Sequence, residues 1–432
     1  MTKMNQGRDV YIVDGNRTPF LKARGKPGPF AAADLAVYAG RELFARLPIQ
    51  PTDIGEVVTG CVMPSEDEAN ISRLIGLRLG CGKKTPAYTV QRNCSSGMQA
   101  LDEGFKDIKL GRHELVLAGG TEAMSRAPLL FNPQMVNWFA SWFGAKTIGA
   151  KLKLITQLRP GHFAPVIAIL RGLRDPLVGL GMGQTAEIVA HRFNITREEM
   201  DAFSAESHAK LAKAIDEGHF KSMIRPIFDA KGNAYEEDDG LRRDSTVEKL
   251  AKLKPFFDKE FGAVTAANSS QITDGAAFMV LASEEAVEKY KLPVQAKIVD
   301  VEWAGVEPSQ MGLGPVHAVV PMLQRHKLGM QDIDYWEVNE AFAAQVLGCV
   351  RAWADADYCK KELGLDEAFG QLDMSRLNVD GGAVAIGHPV GASGARIVMH
   401  LINILQRNNA KRGVASICIG GGQGGAMLIE RV

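Results

Sequence analysis

The length, composition and charge of the chain exclude several classes of protein. Its 432 residues are too many for one small hydrophobic core, so we expect two or more packed units. Hydrophobic residues make up 46% of the chain and charged residues 23%, as in globular proteins. The 50 Lys and Arg residues balance 50 Asp and Glu residues, which leaves no overall positive field and argues against a nucleic-acid partner.

The cysteines and the N-terminus indicate the compartment. Six cysteines are scattered along the chain without a CxxC pair, which argues against a zinc site or a disulfide framework and favours a reducing compartment. Residues 1–9 carry no apolar run, so neither a signal peptide nor a transit peptide is predicted. We therefore expect a cytoplasmic protein without a metal site.

Short β-branched runs alternate with amphipathic helical patterns, which is typical of α/β architecture. In chain order the predicted elements are a strand at 9–14, a helix at 32–47, strands at 56–62 and 114–118, and strands at 296–302, 335–338 and 415–419. This alternation continues into the second half of the chain and predicts an α/β fold there too.

Three short motifs of the first half recur in the same order in the second, which indicates an old duplication. The matched pairs are 53–57 with 334–338, 96–97 with 393–394, and 119–124 with 422–427. The duplication predicts an N-terminal half over 1–127 and 254–292, a C-terminal half over 293–432, and an inserted loop domain over 128–253.

The insertion begins with a segment, 128–180, of unusual composition. Residues 127–145 carry no charge and hold two Trp-Phe pairs at helical spacing, whereas 146–180 hold six basic residues and one acid. This pattern suits a helix that lies on a membrane surface. Polar residues between 132 and 137 interrupt the apolar run, so the segment is too short to span a bilayer.

Cys94 is the first candidate for chemistry. It stands in Asn93-Cys94-Ser95-Ser96-Gly97, and the helical pattern over 98–110 places it at a helix N-terminus. Unpaired N–H groups and the helix dipole stabilise a thiolate there, so a lowered pKa is predicted. The alternative is a small core residue, because lone cysteines are commonly buried in cores.

Two further candidates lie in glycine-rich turns of the second half. His388 stands among five glycines and a proline, ahead of a helix predicted over 395–405, and imidazole is a suitable base for a thiol near neutral pH. Cys418 ends a buried strand, at the edge where α/β sheets place reacting groups. The alternatives are an incidental turn histidine and a buried strand cysteine.

Asn339 is the fourth candidate, in Asn339-Glu340-Ala341-Phe342-Ala343. Its side chain can cap a helix that begins at Glu340. It can equally donate from its amide to a reacting carbonyl oxygen, as in an oxyanion hole. The sequence leaves both roles open.

Together these motifs resemble those of thiolases. The similarity runs from 17–20 to 420–427, and it includes the motifs around Asn339, His388 and Cys418 as well as 264–270 and 274–277. It implies a duplicated five-layer αβαβα fold with an inserted loop domain. It also implies an acyltransferase that cleaves 3-ketoacyl-CoA with coenzyme A in fatty-acid β-oxidation, or runs the reverse Claisen condensation, without a permanently bound cofactor.

The resemblance implies a role for each candidate. Cys94, deprotonated by His388, is acylated by the substrate, while Cys418 moves the proton of the acetyl-CoA carbanion and of incoming coenzyme A. One oxyanion hole uses His388 and a water held by Asn339, and the other uses the backbone N–H groups of Cys94 and Gly420.

The resemblance also implies substrate contacts. Ser270 and Met182 are expected beside the pantetheine arm, and Met311 near the acyl end. Gly181 stands where many short-chain thiolases have a histidine before the Met-Gly pair. Its lack of a side chain is expected to leave room for a longer acyl chain.

Partners follow from the same resemblance. Thiolases pair through the sheets of their core, which implies a homodimer or a homotetramer. The insertion is similar to the loop of thiolases that join a hydratase/dehydrogenase subunit and lie against membrane, although that group often has histidine in place of Asn339. The alternative for 128–180 is a lid whose lysines and arginines meet the phosphates of coenzyme A.

Other functions remain as alternatives. One is a short-chain acetyl-CoA C-acetyltransferase that makes acetoacetyl-CoA. A decarboxylating ketoacyl synthase on the same fold usually needs a histidine where Cys418 stands. A non-catalytic coenzyme A-binding or membrane-tethering subunit does not need the intact set of Cys94, His388, Cys418 and Asn339. A redox sensor would pair Cys94 with Cys418.

Overall fold

A computed structural model gives the positions of residues 7–432. The prediction about a targeting peptide falls mostly on residues 1–6, which lie outside the described residues. Within 7–432, no helix is long and apolar enough to cross a membrane. In the same range, no three His, Cys, Asp or Glu side chains are grouped so as to hold a metal ion.

One large sheet dominates the described part of the chain. Its strands follow the order β12-β13-β14-β11-β1-β10-β5-β3-β4, with β2 beside β10, and two short hairpins, β6–β7 and β8–β9, stand apart from it. The strands are β1 Val10–Arg17, β2 Leu21–Lys22, β3 Glu56–Gly60, β4 Ala87–Val90, β5 Leu115–Ala123, β6 Leu129–Leu130, β7 Val166–Ile167, β8 Ile227–Phe228, β9 Ala234–Tyr235, β10 Thr273–Ser283, β11 Ala296–Gly305, β12 Tyr335–Val338, β13 Arg412–Ile419 and β14 Gln423–Arg431.

Helices occupy three layers around this sheet. They are α1 Ala32–Arg46, α2 Ile71–Leu79, α3 Ser96–Lys109, α4 Pro133–Gly144, α5 Ile148–Ile155, α6 Ala168–Gly172, α7 Met182–Arg192, α8 Arg197–Asp216, α9 Val247–Leu250, α10 Glu284–Tyr290, α11 Gly314–Arg325, α12 Ala343–Ala354, α13 Ala356–Leu363, α14 Ala383–Ile386 and α15 Val390–Arg407. Helices α3 and α15 pack on each other and on strands of both halves, while α1 covers β10 and α11 covers β14 and β11.

The hydrophobic cores follow the same layers. One core joins the side chains of α3 and α15 to inward-facing side chains of β1, β5, β10, β11, β13 and β14. A second core lies under α11 and α12, and a third under α1 and α2. The two halves of the sheet therefore lie on opposite sides of α3 and α15, with outer helices beyond, which gives five layers.

The sheet has an internal repeat of topology, as the predicted duplication requires. In the first half β3 is parallel to β5, β5 is antiparallel to β10, and β10 is antiparallel to β1. In the second half β12, β13, β14 and β11 repeat these relations in the same order. The halves join where β1 pairs with β11.

Two of the three predicted motif matches fall on equivalent elements, and the third does not. Residues 53–57 and 334–338 lead into β3 and β12, and 96–97 and 393–394 lie near the starts of α3 and α15. The match of 119–124 with 422–427 is wrong, because it compares the end of β5 with the start of β14. The topological equivalent of β5 is β13.

The segment between β5 and β10 holds the predicted insertion. It carries α4 to α9 and both short hairpins. The uncharged aromatic run forms α4, which begins at Pro133 after the capping residue Asn132, whose side chain accepts a hydrogen bond from the backbone N–H of Met135. Helix α7 follows the basic segment and returns the chain to the core, where its middle residues are buried.

Candidate active site

Cys94 lies in a tight turn between β4 and α3. Asn93 adopts a left-handed conformation (φ 43°), a conformation that asparagine tolerates better than most residues. Its side-chain amide donates to the backbone oxygen of Gly420 at 2.7 Å, and Arg92 donates to the side chain of Gln423 at 3.1 Å. The nucleophile turn of the first half is therefore fixed to the β13–β14 turn of the second.

The predicted lowering of the Cys94 pKa is wrong for the unliganded site. Burial raises the pKa of this thiol, and it outweighs the opposing effect of hydrogen bonds from the backbone N–H groups of Gly420 and of Cys94 itself. Helix α3 begins only at Ser96, and its N-cap is Ser95. Cys94 is therefore the residue before the N-cap and lies outside the helix. The same two N–H groups are those expected to form an oxyanion hole.

The loop that carries His388 depends on two glycines. Gly387 has a φ of 106°, and a Cβ there would lie 2.3 Å from the Thr273 side chain, so only glycine fits. The backbone N–H of Gly391 donates to the buried carboxylate of Glu122 at 3.1 Å. Helix α15 begins at Val390, earlier than the predicted start at 395, because these contacts fix the loop tightly against the first half.

The ring orientation of His388 is fixed by Ser393. The Ser393 hydroxyl lies 3.0 Å from the carbonyl oxygen of Pro389 and 2.6 Å from Nδ1 of His388. Because a hydroxyl has a single proton and gives it to the carbonyl, we infer that it accepts from Nδ1–H. The Nε2 atom then carries a lone pair, and within 7–432 it has no hydrogen-bond partner.

His388 is neutral at physiological pH. Burial and, to a smaller extent, the positive charge of Arg396 lower its pKa to about 3. A neutral imidazole with a free Nε2 can accept a proton from a thiol. The environment therefore favours a thiol–imidazole pair in the resting site over a thiolate–imidazolium pair.

Cys418 lies at the end of β13, as predicted. It is almost completely buried, and both burial and the neighbouring Cys94 sulfur raise its pKa well above the usual value. Gly424 pairs with it across the β13–β14 hairpin. A buried thiol beside another thiol is a proton donor that becomes a base only when a substrate carbanion has taken its proton.

Asn339 does not cap the following helix, so that alternative is wrong. Helix α12 begins at Ala343 with Phe342 at its N-cap. The amide oxygen of Asn339 accepts from the guanidinium of Arg396 at 3.4 Å. Because arginine only donates, the amide NH₂ of Asn339 must point the other way, and it has no partner within 7–432.

One cavity of about 760 Å³ brings together most of the predicted site residues. Those that line it are Cys94, His388, Cys418, Ser270, Met182, Met311 and Gly181. Gly420 lines a smaller adjoining cavity that also reaches Cys94. Asn339 lies behind the cavity wall and is fully buried, so only an intervening water can carry its hydrogen bond to a substrate.

Sequence reasoning missed Lys22 and Arg242 of this cavity, whereas Arg174 belongs to the basic segment for which a lid over coenzyme A was one alternative. Its mouth carries Lys22, Arg174 and Arg242, and burial together with the positive charges of Arg242 and Arg24 lowers the pKa of Lys22. These residues come from distant parts of the chain, so no local motif marks them. Their shared position gives the entrance a positive potential.

Glu340, in the Asn339 motif, also positions the His388 loop. Its buried carboxylate accepts from Ser207 at 2.7 Å, from Asn378 at 2.9 Å and from the backbone N–H of Val384 at 3.2 Å. Helix α14, which holds Val384, leads directly into Gly387. Glu340 stands in the motif that the sequence singled out, but its hydrogen-bond partners lie far away in the sequence, so this role was not predicted.

Comparisons with known proteins show which family the chain resembles. The family description "Thiolase, N-terminal domain" matches residues 10–285, and "Thiolase, C-terminal domain" matches residues 292–431. A human mitochondrial 3-ketoacyl-CoA thiolase is 38% identical over 98% of this chain and 98% of that protein. An acetyl-CoA acetyltransferase of Syntrophomonas wolfei is 37% identical over 98% and 99%. A β-ketoadipyl-CoA thiolase of Pseudomonas aeruginosa is 38% identical over 98% and 100%.

Solved structures show the same fold. The human enzyme in complex with CoA has a TM-score of 0.84 at 36% identity and covers 98% of both chains. The Syntrophomonas wolfei enzyme has a TM-score of 0.86 at 35% identity and covers 99% of this chain and 100% of that one. The predicted duplicated α/β fold is thereby confirmed.

The fold and the cavity define an acyltransferase. The chain belongs to the thiolase family.

The charge state of the resting site is open to direct measurement. Because burial raises the pKa of Cys94, we expect its rate of alkylation by iodoacetamide to keep rising with pH up to 9, followed by mass spectrometry of the Cys94 peptide. Absence of label on the buried Cys349 in the same samples controls for unfolding. A rate that levels off below pH 7 would instead indicate a preformed thiolate–imidazolium pair.

Proposed function

We propose that the protein catalyses the thiolytic cleavage of 3-ketoacyl-CoA to acetyl-CoA and a shortened acyl-CoA, and the reverse condensation, by a ping-pong mechanism. The observation that carries this proposal is that Cys94, His388 and Cys418 all line one cavity. One thiol is needed to form a covalent bond and the other to move a proton.

In the first half-reaction, Nε2 of His388 takes the thiol proton of Cys94, and the sulfur attacks the 3-keto carbon. The bond between C2 and C3 then breaks, the acyl group remains on Cys94, and Cys418 protonates the acetyl-CoA carbanion. The free amide of Asn339, through a water, stabilises the enolate oxygen together with His388.

In the second half-reaction, the Cys418 thiolate takes the proton of the incoming coenzyme A thiol, whose sulfur attacks the acyl carbon. The backbone N–H groups of Cys94 and Gly420 stabilise the oxyanion, and each such donor contributes roughly 3 kcal/mol. Expulsion of Cys94 and return of the His388 proton restore the resting state, so no net proton is lost.

The positive entrance supports binding of the coenzyme A phosphates. Lys22, Arg174 and Arg242 lie at the mouth of the cavity, where charge-assisted hydrogen bonds to phosphate are favourable. Ser270 and Met182 lie on the wall of the cavity that holds the thiols, and Met311, which is expected near the acyl end, lines it too. We therefore propose that the pantetheine arm follows this wall, with no permanently bound cofactor.

Separate half-reactions test the assignment of the two thiols. Cys94→Ala is expected to abolish both acylation and cleavage. Cys418→Ala keeps the nucleophile and is expected to become acylated on Cys94 only slowly, because the carbanion must take its proton from water, and to lose turnover, because no group then deprotonates coenzyme A. The measurement is coenzyme A-dependent loss of ketoacyl absorbance beside intact-protein mass. Full turnover by the Cys418→Ala enzyme would contradict its role.

The preferred chain length separates β-oxidation from biosynthesis. The names of the relatives include both 3-ketoacyl-CoA thiolase and acetyl-CoA acetyltransferase. Gly181 lines the cavity, and a Cβ there would make ordinary contacts, the nearest at 3.6 Å to Gln184, so a side chain fits at this position and its absence leaves that volume to the cavity. This space favours the β-oxidation role over short-chain acetoacetyl-CoA synthesis.

We propose that the protein forms a homodimer through β4, or a homotetramer built from such dimers. Within 7–432, β4 pairs only with β3 and forms one end of the sheet. Its outer backbone groups are therefore available to pair with a second copy. A hydratase/dehydrogenase subunit is a further partner that we propose for the β-oxidation role.

We also propose that the protein is cytoplasmic and binds peripherally to membrane through its insertion. Basic side chains accompany the exposed apolar ones, as in proteins that bind anionic lipid. Of the six basic residues between 146 and 180, Arg174 lines the cavity, so the lid alternative accounts for one of them. The exposed large apolar residues of 128–180 are Leu129, Leu130, Phe131, Val136, Phe143, Ile148, Leu152, Ile155, Phe163, Ile167, Leu170 and Leu177.

The two tryptophans of α4 contribute less to this surface than the aromatic composition of the segment predicts. Trp138 donates from its indole to the backbone oxygen of Leu154 at 2.9 Å and stacks on Trp142 at 5.3 Å. Both rings are half-buried and hold α4 against α5. Phe143 and Ile148, at 81% and 80% exposure, are better placed to enter a bilayer.

Flotation with anionic liposomes tests the membrane proposal. The wild type is expected to float, and Phe143→Ser with Ile148→Ser is expected to lose most of this binding, because both apolar side chains leave the interface. Leu110→Ser with Phe261→Ser, two other exposed positions, is the matched control and should float normally. A wild type that does not float would favour the lid.

A further inference from the structure

Four buried charged side chains form a continuous chain behind Asn339. Arg396 and His400 lie four residues apart on α15, so both project from the same face of that helix. Glu337 meets them from β12, and Asp380 from the loop before α14. Each of the four is at most 3% exposed, and none of them lines the cavity that holds the thiols.

The contacts of this chain run in one order from Asn339 outward. The guanidinium of Arg396 donates to the amide oxygen of Asn339 at 3.4 Å and to Oε2 of Glu337 at 3.1 Å. The other oxygen of Glu337, Oε1, lies 3.5 Å from Nδ1 of His400. The second ring nitrogen of His400, Nε2, lies 3.0 Å from Oδ2 of Asp380.

This geometry determines the protonation state of His400. Its two ring nitrogens each face a carboxylate oxygen, and a carboxylate oxygen only accepts hydrogen bonds. Within 7–432, neither Nδ1 of His400 nor Oε1 of Glu337 has another hydrogen-bond partner. Only an imidazolium, with an N–H group at both nitrogens, can donate to both carboxylates.

The balance of buried charge requires the same proton. Burial lowers the pKa of His400, but the carboxylates of Glu337 and Asp380 outweigh burial and raise it. With the proton in place, the two cations Arg396 and His400 match the two carboxylates. Without it, the interior would hold an unmatched carboxylate, which is costly.

Asp380 connects the chain to the surface. His219 and Arg407 contact its carboxylate at 3.0 and 2.9 Å, and their side chains are 18% and 27% exposed. Burial acts against ionisation of Asp380, yet contacts with His400 and Arg407 hold the pKa of this carboxyl well below its usual range. Asp380 is therefore a stable anion for His400 to contact.

The remaining neighbour of His400 is aromatic. The Phe220 ring lies 5.2 Å from the His400 ring. The same phenyl ring also packs against Arg17, which forms a buried ion pair with Asp238. Within 7–432, the charged groups that contact His400 directly are therefore the two carboxylates.

We propose that His400 is a positioning residue for the thiolase reaction. As an imidazolium it fixes the second oxygen of Glu337, and Glu337 in turn fixes Arg396. Arg396 then holds the amide of Asn339 so that its N–H group faces the water that stabilises the enolate. This inference rests on the proposed thiolase function, and it adds a residue that touches neither the substrate nor the thiols.

Loss of the His400 charge should act on the transition state and leave substrate binding intact. The full charge of Glu337 would then act on Arg396 alone and draw the guanidinium away from Asn339, which it contacts only at 3.4 Å. The enolate charge develops only as the bond between C2 and C3 breaks. A weakened donor therefore lowers kcat and leaves KM unchanged.

A double-mutant cycle tests this chain of contacts. His400→Gln is expected to lower kcat for acetoacetyl-CoA cleavage about tenfold, a part of the roughly 100-fold that loss of a whole oxyanion donor costs, with KM close to that of the wild type. In an Asn339→Ala background the same change should alter kcat less than about twofold, because the amide that His400 positions is gone. His317→Gln is the matched control, since His317 contacts the Tyr358 hydroxyl at 2.8 Å, and it should leave kcat unchanged in both backgrounds.

NMR of the protein labelled with nitrogen-15 histidine measures the charge without reference to activity. The His400 ring, identified by comparison with the His400 and Glu337 variants, is expected to be protonated at both nitrogens and to titrate with a midpoint above the ordinary histidine value of about 6.5. Glu337→Gln removes one of the two carboxylates and is expected to lower this midpoint. It should also give the same Asn339-dependent fall in kcat, even if His400→Gln fails to fold.

Several results would overturn the proposal. One is a midpoint for His400 in the wild type below about 6.5. Another is a folded His400→Gln enzyme with the kcat of the wild type, or one whose kcat falls by the same factor with and without Asn339. A wild type that cleaves no 3-ketoacyl-CoA would instead overturn the proposed thiolase function, while the NMR titration would still report the charge of His400.

Discussion

The close contact between α3 and α15 is the constraint on which the rest of the structure depends. A Cβ on Gly97 would lie 2.8 Å from the backbone oxygen of Gly391, and one on Gly394 would lie 2.6 Å from the backbone nitrogen of Met98. Only glycine allows two helices to approach this closely. Because the turn of Cys94 precedes one helix and the loop of His388 precedes the other, this contact brings the nucleophile of one half to the base of the other.

Around that contact the reacting side chains are neutral, and the charged side chains contact the groups that surround them. Cys94, Cys418 and His388 are all shifted toward their uncharged forms by burial. Arg396, which orients the amide of Asn339, is paired with Glu337 at 3.1 Å in the interior. The arrangement orients hydrogen-bond donors without placing a full charge against the thiols, so a charge develops only when substrate is bound.

The features that depend on local sequence patterns were predicted correctly. The features that depend on contacts between distant residues were missed. The strand over 335–338 coincides with β12, and Cys94, His388 and Cys418 stand at the element ends expected for them. The early start of α15 was missed, since glycines have low helix propensity and the contact of Gly391 with Glu122 spans 269 positions. The pKa of Cys94 was predicted in the wrong direction because its burial depends on parts of the chain that no local motif reveals. The cavity that holds the two thiols was not predicted either, because its walls combine residues from both halves and the insertion.

The central claim is that Cys94 carries the acyl group and coenzyme A removes it. The most direct test is to incubate the enzyme with acetoacetyl-CoA in the absence of free coenzyme A, quench it, and locate any acetyl group by peptide mass spectrometry. The account predicts a single acetyl adduct on Cys94 that disappears when coenzyme A is added. No adduct, or an adduct on another residue that coenzyme A leaves in place, would contradict it.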